Sequence, residues 1–367
     1  DGKGNTALRI INGHVVSKEF NSKKAICSIP NKLNTFDFKD GKGNTALRII
    51  NGHVVSKNSS IGCAKRIIVD TDWWTDSDDA IAIRLLSKFV RDKKVKLLGI
   101  IIDAIKDTSV PSLSRYLNYH GINTPIGIDS EATNYSFTTS YHQTIIDNWK
   151  YCEYSNNSQA FDSTILYRKL LSSSKYKNIE IVLIGYTNAL SKLLNSEADG
   201  ISSLNGVELV KQKVKTIYIM GGKYPEGSEN NFTRNPMAIA AAYNVCKICP
   251  APIVFLGYEV GESIRSGGGI KQTELGEEDL LYKCLYAHGD TDEATNGRYS
   301  WDPMTMLMAI SDFDKKTFNY IRGTNTVNQN TGYNTFKVDN NGKHYYVTKR
   351  YPDNFYKQRI NNFVKTI

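Results

Sequence analysis

The densest group of chemically active side chains in this sequence is a run of aspartates at residues 70–79. The segment DTDWWTDSDD carries five carboxylates within ten residues. Carboxylates this crowded repel one another and raise each other's pKa unless a cation neutralises them. Because no His or Cys lies beside them, ligation through oxygen alone favours a hard cation, Ca²⁺ or Mg²⁺. The residue types therefore predict a metal site.

Apolar residues on either side place this cluster between a strand and a helix. RIIVD at 66–70 is a short apolar run, and Ile81, Leu85 and Phe89 recur at the spacing of one helix face. An aspartate at the start of a helix caps it and suits its dipole, which explains one or two of the five carboxylates but not all of them. In a mainly parallel sheet, ligands bind at the carboxyl ends of the strands, which is where the cluster falls.

The chain from Lys65 onward alternates strands with helices. Strands are predicted at 66–70, 95–102, 180–184, 214–220 and 252–256, and helices at 79–90, after Pro111, from about Asn188 and from Pro236. This order predicts an α/β, Rossmann-like fold with a mostly parallel central sheet and helices on both faces. Residues 318–347 alternate around Asn341-Gly342 and predict a C-terminal antiparallel hairpin, and residues 353–364 predict a closing helix.

The first part of the chain contains a perfect repeat. Residues 1–18, DGKGNTALRIINGHVVSK, recur unchanged at 40–57. Each copy has an apolar stretch around Asn12-Gly13 or Asn51-Gly52, which is a hairpin signal. Two identical copies suggest a recent duplication or an artefact, because old structural repeats drift. We therefore divide the chain into a leader over residues 1–62 and one domain over residues 63–367.

Net charge and hydropathy limit the classes of partner. The net charge of +9 raises the question of nucleic-acid binding, but the lysines are scattered and the sharpest local feature is acidic. We therefore predict no nucleic-acid partner. No apolar run approaches the ~18 residues of a membrane helix, and no hydrophobic signal core is present. These observations predict a soluble protein without a membrane partner, and they leave a cytoplasmic or exported location open.

Single positions argue against two familiar Asp-rich loops. A haloacid-dehalogenase-type phosphatase would carry Thr or Val two residues after the second aspartate, where this chain has Trp74. An EF-hand counted from Asp70 would carry Gly at its sixth position and Glu at its twelfth, which here are Thr75 and Ile81.

A third pattern fits. DTDWWTDSDDAIAI resembles the opening motif of the inosine/uridine-preferring nucleoside hydrolase family, in the branch with the pattern D-T-D-x-x-x-D-x-D-D-A. Four later segments resemble further motifs of that family, in the same order: IVLIGYTNALSKLL, IYIMGGKYPEGSENNFTRNPMAIAAA, PIVFLGYEVG and RYSWDPMTMLMAI. The resemblance covers residues 65–367 and implies Ca²⁺-dependent hydrolysis of the N-glycosidic bond of ribonucleosides, which releases ribose and free base.

The resemblance also implies roles for individual residues. A Ca²⁺ ion would lie at the base of a ribose pocket, held by the carboxylates of Asp72, Asp79 and Asp302 and by the backbone carbonyl of Thr187. Asp72 would also be the general base that takes a proton from the attacking water. The implied substrate-binding residues are Asp78, Met220, Glu229, Asn231 and Trp301. The partner would be a small-molecule nucleoside, and the family's assemblies imply a homodimer or homotetramer.

Departures from the family pattern keep other hypotheses open. Trp301 stands where many members carry a His suited to protonating the leaving base, so the leaving-group acid is open among His142, His288, Glu259 and the Tyr-rich loops. The GYTN segment at 185–188 is one residue short. A non-catalytic protein that binds nucleoside or ribose in a degenerate pocket is therefore the alternative. The tandem tryptophans at 73 and 74 are either packing residues or walls of the pocket.

Overall fold

The computed structural model describes residues 64–74, 76–132 and 140–366, together with five strands of the leader. The chain forms two compact units, residues 1–63 and residues 64–367. The leader strands are β1 (Leu8–Ile11), β2 (His14–Ser17), β3 (Thr35–Lys39), β4 (Thr45–Ile50) and β5 (His53–Ser56).

The two copies of the repeat form the same antiparallel strand pair. β1 pairs with β2, with Ile11 opposite His14, and β4 pairs with β5, with Ile50 opposite His53. β3 adds a third antiparallel strand beside β4. The predicted turn residues at 12–13 and 51–52 lie outside the described residues. Identical local sequences favour identical local pairing, and the hairpins themselves stay a prediction.

The larger unit alternates strands and helices. Its strands are β6 (Lys65–Thr71), β7 (Val95–Ile102), β8 (Ile126–Ile128), β9 (Phe161–Asp162), β10 (Ile179–Leu183), β11 (Val214–Met220), β12 (Glu226–Gly227), β13 (Ile253–Leu256), β14 (Arg265–Ser266), β15 (Arg298–Tyr299), β16 (Phe318–Val327), β17 (Asn334–Val338) and β18 (His344–Lys349). Its helices are α1 (Asp78–Arg91), α2 (Ser109–Tyr119), α3 (Ser140–Asn148), α4 (Ser163–Ser172), α5 (Asn188–Asn195), α6 (Gly206–Lys213), α7 (Asn230–Thr233), α8 (Pro236–Ile248), α9 (Tyr258–Gly261), α10 (Leu280–Asn296), α11 (Trp301–Ile310), α12 (Asp312–Lys315) and α13 (Asp353–Val364). Over the part of the chain that is described, no helix has the length and apolarity needed to cross a bilayer.

One large sheet organises this unit. Eleven strands lie in the order β12-β17-β16-β18-β13-β11-β10-β6-β7-β8-β9. The strands from β18 to β9 run parallel to their neighbours, and β16, β17 and β12 extend the sheet with antiparallel pairs. Within this unit, the first strand β6 lies in the middle of the sheet, the next strands run outward to β9, and the chain then returns to β10 on the other side of β6. The prediction of a mostly parallel α/β sheet is confirmed. The change of direction between β6 and β10 is a topological switch point, where such sheets bind ligands.

Both faces of the sheet are buried under helices. Val69 and Ile102 point into one apolar cluster, which includes residues of α1, α10, α11 and α13. Their neighbours Ile68 and Ile101 point into the opposite cluster, which includes residues of α4, α5, α6 and α8. Because successive side chains of a strand alternate between faces, a strand buried on both faces appears in the sequence as an unbroken apolar run.

The C-terminal antiparallel hairpin is confirmed, but its turn is not at Asn341-Gly342. β16 lies between β17 and β18 and pairs with both, so the hairpin turn that joins β16 to β17 lies at residues 328–333. The Asn341-Gly342 turn instead joins the two strands that flank β16. It crosses so close to β16 that a Cβ at position 342 would collide with the backbone of Gly323. The glycine therefore reflects a close approach of two chain segments.

A buried arginine ties three helices together. Arg84 of α1 donates from both terminal nitrogens to the carboxylate of Asp279, at 2.7 and 2.8 Å, and from Nε to the carbonyl of Val364, at 2.6 Å. Asp279 caps α10, and Val364 ends α13. Both charged side chains are 1% exposed. Removal of one partner would leave the other charge buried and unpaired, which is strongly destabilising.

We expect Arg84→Met to lower the free energy of unfolding by about 3–5 kcal/mol, the cost of breaking a buried ion pair. Lys88→Met on the same helix is the matched control, because Lys88 and Asp92 form a solvent-accessible pair. The control should lose about 1 kcal/mol or less. Urea unfolding of the two variants measures both values, and equal losses would contradict the assigned role of Arg84.

Candidate active site

A cavity of about 350 Å³ opens at the carboxyl ends of the central strands. Asp72 directly follows β6, Ile184 follows β10, Met220 ends β11 and Tyr258 lies just after β13, so strands on both sides of the switch point contribute to it. The described residues that line it are Asp72, Asp76, Asp78, Asp79, Ile184, Met220, Glu229, Asn230, Asn231, Arg234, Tyr258, Arg298, Trp301 and Asp302. The volume falls in the range of small-molecule sites.

Four buried aspartates, here called the floor carboxylates, line the bottom of the cavity: Asp72, Asp78, Asp79 and Asp302. Carboxylate oxygens of Asp78, Asp79 and Asp302 lie within 4.8 Å of one another. Asp78 and Asp79 occupy the first turn of α1, and Asp302 occupies the first turn of α11. The backbone N–H of Asp302 donates to Asp78 Oδ2 at 3.1 Å, and the Thr71 hydroxyl donates to Asp79. The first turns of two helices thus meet at the floor, which favours negative charge there.

Burial and mutual repulsion raise the pKa of the floor carboxylates. Burial, followed by the charges of its aspartate neighbours, raises the pKa of Asp302 well above its usual range, and Asp78 behaves in the same way. Burial, with the charges of Asp79 and Asp76, also raises the pKa of Asp72. The pKa of Asp79 rises to about 7, chiefly through burial. Such a cluster holds protons tightly unless another cation replaces them.

Two further buried acids, Asp70 and Asp103, lie near the floor carboxylates without lining the cavity. Asp70 Oδ2 accepts a hydrogen bond from the Tyr167 hydroxyl at 2.6 Å, and burial raises the pKa of Asp70 to about 7. Asp103 lies so close to the end of β10 that a Cβ at Gly185 would fall 2.6 Å from its Oδ2 and would also collide with the backbone N of Asp72. Glycine at 185 therefore lets β10 approach the floor. Neither Asp70 nor Asp103 lines the cavity.

The tandem tryptophans are packing residues. Trp73 is fully buried, and its Nε1 donates to Ser112 Oγ at 2.9 Å. Its φ of 42° is unusual for a residue with a large side chain and forms the turn between β6 and α1. His142 Nε2 bonds to the Trp73 carbonyl at 2.7 Å, and burial lowers the pKa of His142 to about 3. His142 is therefore a neutral support for this turn. Trp74 is 1% exposed and does not line the cavity.

Met220, Glu229 and Asn231, here called the Glu229 wall, form one hydrogen-bonded side of the cavity. Glu229 caps α7, and its carboxylate accepts the N–H of Asn231 at 2.8 Å and of Gly222 at 2.9 Å. Asn231 Nδ2 donates to the carbonyl and the sulfur of Met220, at 3.1 and 3.2 Å. Burial raises the pKa of Glu229 to about 7. The structure therefore brings these three residues, implied by the resemblance, together beside the floor.

Tyr258 and Trp301, here called the aromatic wall, form the other side. Trp301 Nε1 donates to the carbonyl of Tyr258 at 2.9 Å, and the ring centroids are 5.5 Å apart. Arg298 lies beside them and forms an ion pair with Asp76 at 3.2 Å. Burial raises the pKa of Asp76, but hydrogen bonding to Asp78 and the charge of Arg298 outweigh it, so this pKa is lowered.

Sequence reasoning gave no role to several lining residues. These are Ile184, Asn230, Arg234, Tyr258 and Arg298. Asp76, which also lines the cavity, belongs to the predicted acidic run. All of them stand in the segments that carry the resemblance, and Arg298 is four residues before Asp302 in RYSWDP. Tyr258, an aromatic residue just after the predicted strand at 252–256, has a local signal of its position, because ligands bind at the carboxyl ends of such strands. Arg234 and Arg298 have no such signal, since neither directly follows a strand.

Besides the two tryptophans, four further residues named from the sequence do not line the cavity. Thr187 is buried, and its carbonyl accepts the N–H of Ser191 at 2.9 Å, so its role as a ligand stays a prediction. His142 lies in the core, as described above. His288 Nδ1 pairs with a glutamate of α10 at 2.8 Å, and Glu259 accepts the backbone N–H of residue 224 at 3.2 Å. Among the described residues, none of the three individually named candidates for a leaving-group acid lines the cavity, and the tyrosine that does line it is Tyr258.

Comparison with known proteins identifies the fold of the larger unit. The sequence matches no protein-family model and no curated protein at a significant level. Among solved structures, a plant nucleoside hydrolase has a TM-score of 0.63 at 16% identity, over 83% of this chain and 99% of that one. The inosine-uridine preferring nucleoside hydrolase from Bacillus anthracis has a TM-score of 0.62 at 15% identity, over 83% of this chain and 100% of that one.

A third neighbour is the type III effector protein XopQ, solved in complex with adenosine diphosphate ribose. Its TM-score is 0.57 at 13% identity, over 83% of this chain and 94% of that one. Identities this low establish architecture rather than activity. The larger unit of this chain has the nucleoside hydrolase fold.

Proposed function

We propose that this chain is an N-glycosyl hydrolase that cleaves the N-glycosidic bond of ribonucleosides and releases ribose and free base. The observation that carries the proposal is the convergence of the floor carboxylates at the bottom of one cavity, at the switch point of a nucleoside hydrolase fold. A ring of carboxylates suits a reaction whose transition state carries positive charge on the sugar. The effector XopQ, which shares the fold, was solved with a ligand that also contains ribose.

The floor carboxylates fit a hard divalent cation, and we assign Ca²⁺ to them. All the donors are oxygens, and in the described part of the chain no Lys or Arg forms an ion pair with any of the four. Buried charges that lack such partners are normally neutralised by a metal or by protons. The ligands would be Asp72, Asp79 and Asp302. Asp78 would be a fourth ligand, because its carboxylate lies within 4.8 Å of those of Asp79 and Asp302. When bound, the cation would offset their charge and lower the pKa of a water molecule at the floor.

The protein's own groups divide the remaining work. Asp72 lies at the rim of the floor with 9% of its surface exposed, and it would accept the proton of the attacking water. The Glu229 wall would bind the sugar hydroxyls, because its carboxylate and amide groups lie beside the floor. The aromatic wall would contact the base, since aromatic side chains bury flat rings well. The two walls and the floor carboxylates together would hold the anomeric carbon next to the attacking water.

Hydrolysis of a nucleoside panel tests the function. Wild-type protein with Ca²⁺ should release base from at least one ribonucleoside, and Asp72→Asn should lower kcat by about 10²–10⁴-fold, the usual contribution of a general base. Asp147→Asn is the matched control, because Asp147 is an exposed aspartate on α3 and should leave kcat unchanged. Ribose or nucleoside binding by calorimetry without turnover would instead select the binding-protein alternative. If the protein neither binds nor cleaves any nucleoside of the panel, the proposal is refuted.

Removal of the metal should give the protein an unusual pH dependence. Asp70 and Asp79 have pKa values raised from 3.8 to about 7. Between about pH 4 and 7 the folded chain therefore binds more protons than the unfolded chain, so the stability of the chelated protein should fall as pH rises. Ca²⁺ should reduce this fall, with a gain of about 2.7 kcal/mol at a concentration 100 times Kd.

Differential scanning calorimetry from about pH 4 to pH 8, with chelator and with Ca²⁺, measures both effects. Asp302→Asn should remove most of the Ca²⁺-dependent shift in Tm. The metal assignment would be contradicted if Ca²⁺ left the Tm of the wild-type protein unchanged at pH 8, or if Asp302→Asn kept the whole Ca²⁺-dependent shift in Tm.

A further inference from the structure

The proposed reaction needs a group that accepts the charge of the departing base. When the bond between C1′ and the base nitrogen breaks, the electron pair stays on the base. The described residues that line the cavity include no His, Cys or Lys. They include two cationic side chains, Arg234, which is exposed, and Arg298, which is only 21% exposed.

Carboxylates on two elements hold the Arg298 guanidinium in place. One terminal nitrogen donates to Asp76 Oδ2 and the other to Glu293 Oε1, both at 3.2 Å. Glu293 is itself held by the Ser77 hydroxyl at 2.9 Å and by His288 Nδ1 at 2.8 Å. A cation fixed in this way needs little reorganisation when negative charge develops near it. An arginine stays charged and cannot act as a proton donor in the reaction.

The guanidinium also lies where the floor meets the aromatic wall. Its carbon is 5.7 Å from the centre of the Trp301 ring and 5.3 Å from that of Tyr299. Its Nε–H is buried and has no hydrogen-bond partner among the described residues. A buried donor without a partner is uncommon and costs about 1–3 kcal/mol. A ribose on the floor would direct its base toward this wall, and hence toward Arg298.

We propose that Arg298 stabilises the departing base; this inference rests on the proposed function. As the C1′–N bond breaks, the electron pair moves onto the base, and the guanidinium donates a hydrogen bond to the base atom that gains negative charge. The attacking water adds its oxygen to C1′ and gives its proton to Asp72. The released base then takes a proton from solvent. Departure is therefore assisted by a fixed positive charge instead of a general acid.

Leaving groups of different quality test this role. Arg298→Met should lower kcat/KM for nucleosides by about 10²–10³-fold, the usual loss when one preorganised donor is removed. The same variant should lose less than about tenfold with p-nitrophenyl riboside, because p-nitrophenolate is already a stable anion and needs little help to leave. Arg298→Lys keeps a positive charge and should recover part of the nucleoside activity.

Arg265→Met is the matched control. Arg265 pairs with Asp292 at 2.6 Å and lies 5.8 Å from the centre of the Tyr299 ring, but it does not line the cavity. It should leave both substrates unaffected, and thermal unfolding of each variant verifies folding. Equal losses of both substrates in a folded Arg298→Met variant, or no loss of either, would overturn the assignment while the hydrolase proposal stands. If wild-type protein cleaves neither substrate, the proposed function fails and takes the inference with it.

Discussion

Electrostatic repulsion among buried carboxylates is the constraint on which this structure depends. The fold brings the floor carboxylates into a space shielded from water, where each charge raises the pKa of the others. Neighbouring groups reduce the free-energy cost of placing these negative charges together, but they do not remove it. The N-termini of α1 and α11 point their dipoles at the floor, Thr71 donates a hydrogen bond to Asp79, and Arg298 neutralises Asp76. A bound cation would neutralise the negative charge that remains on the floor carboxylates.

A site under such strain needs a rigid frame. Both faces of the central sheet are packed against helices, so the strand ends at Asp72 and Met220 have little freedom. The same packing holds α1 and α11, whose first turns carry the other floor carboxylates. Local features then place individual groups. Glycine at 185 lets the chain after β10 pass close to the backbone of Asp72, and His142 holds the turn at Trp73 through a hydrogen bond to its carbonyl. The buried pair of Arg84 and Asp279 fixes α1, whose first turn carries two of the floor carboxylates.

Net charge and local charge describe different parts of the molecule. The leader, residues 1–63, contains ten Lys and Arg against four Asp and Glu, and so carries most of the net charge of +9. The larger unit is closer to neutral, and its cavity is acidic at the floor, with Arg234 and Arg298 on its sides. The overall charge therefore says little about the ligand of the cavity, which is decided by groups a few ångströms apart.

The sequence by itself determined the strands β6, β7, β10, β11 and β13, the helices α1, α2, α5, α8 and α13, and the acidic run. The predicted strand at 95–102 and helix at 353–364 have the observed bounds of β7 and α13, because hydrophobic periodicity is a local property. Local sequence patterns do not show which distant residues meet; the family resemblance groups Asp302 with the acidic run, and tertiary structure supplies the contacts themselves. Asp302 reaches Asp78 across 224 residues, and Arg298 reaches Asp76 across 222, and no local spacing encodes such contacts. The same limit applies to the hairpin turn and to His142, because burial and strand order depend on how the whole chain packs.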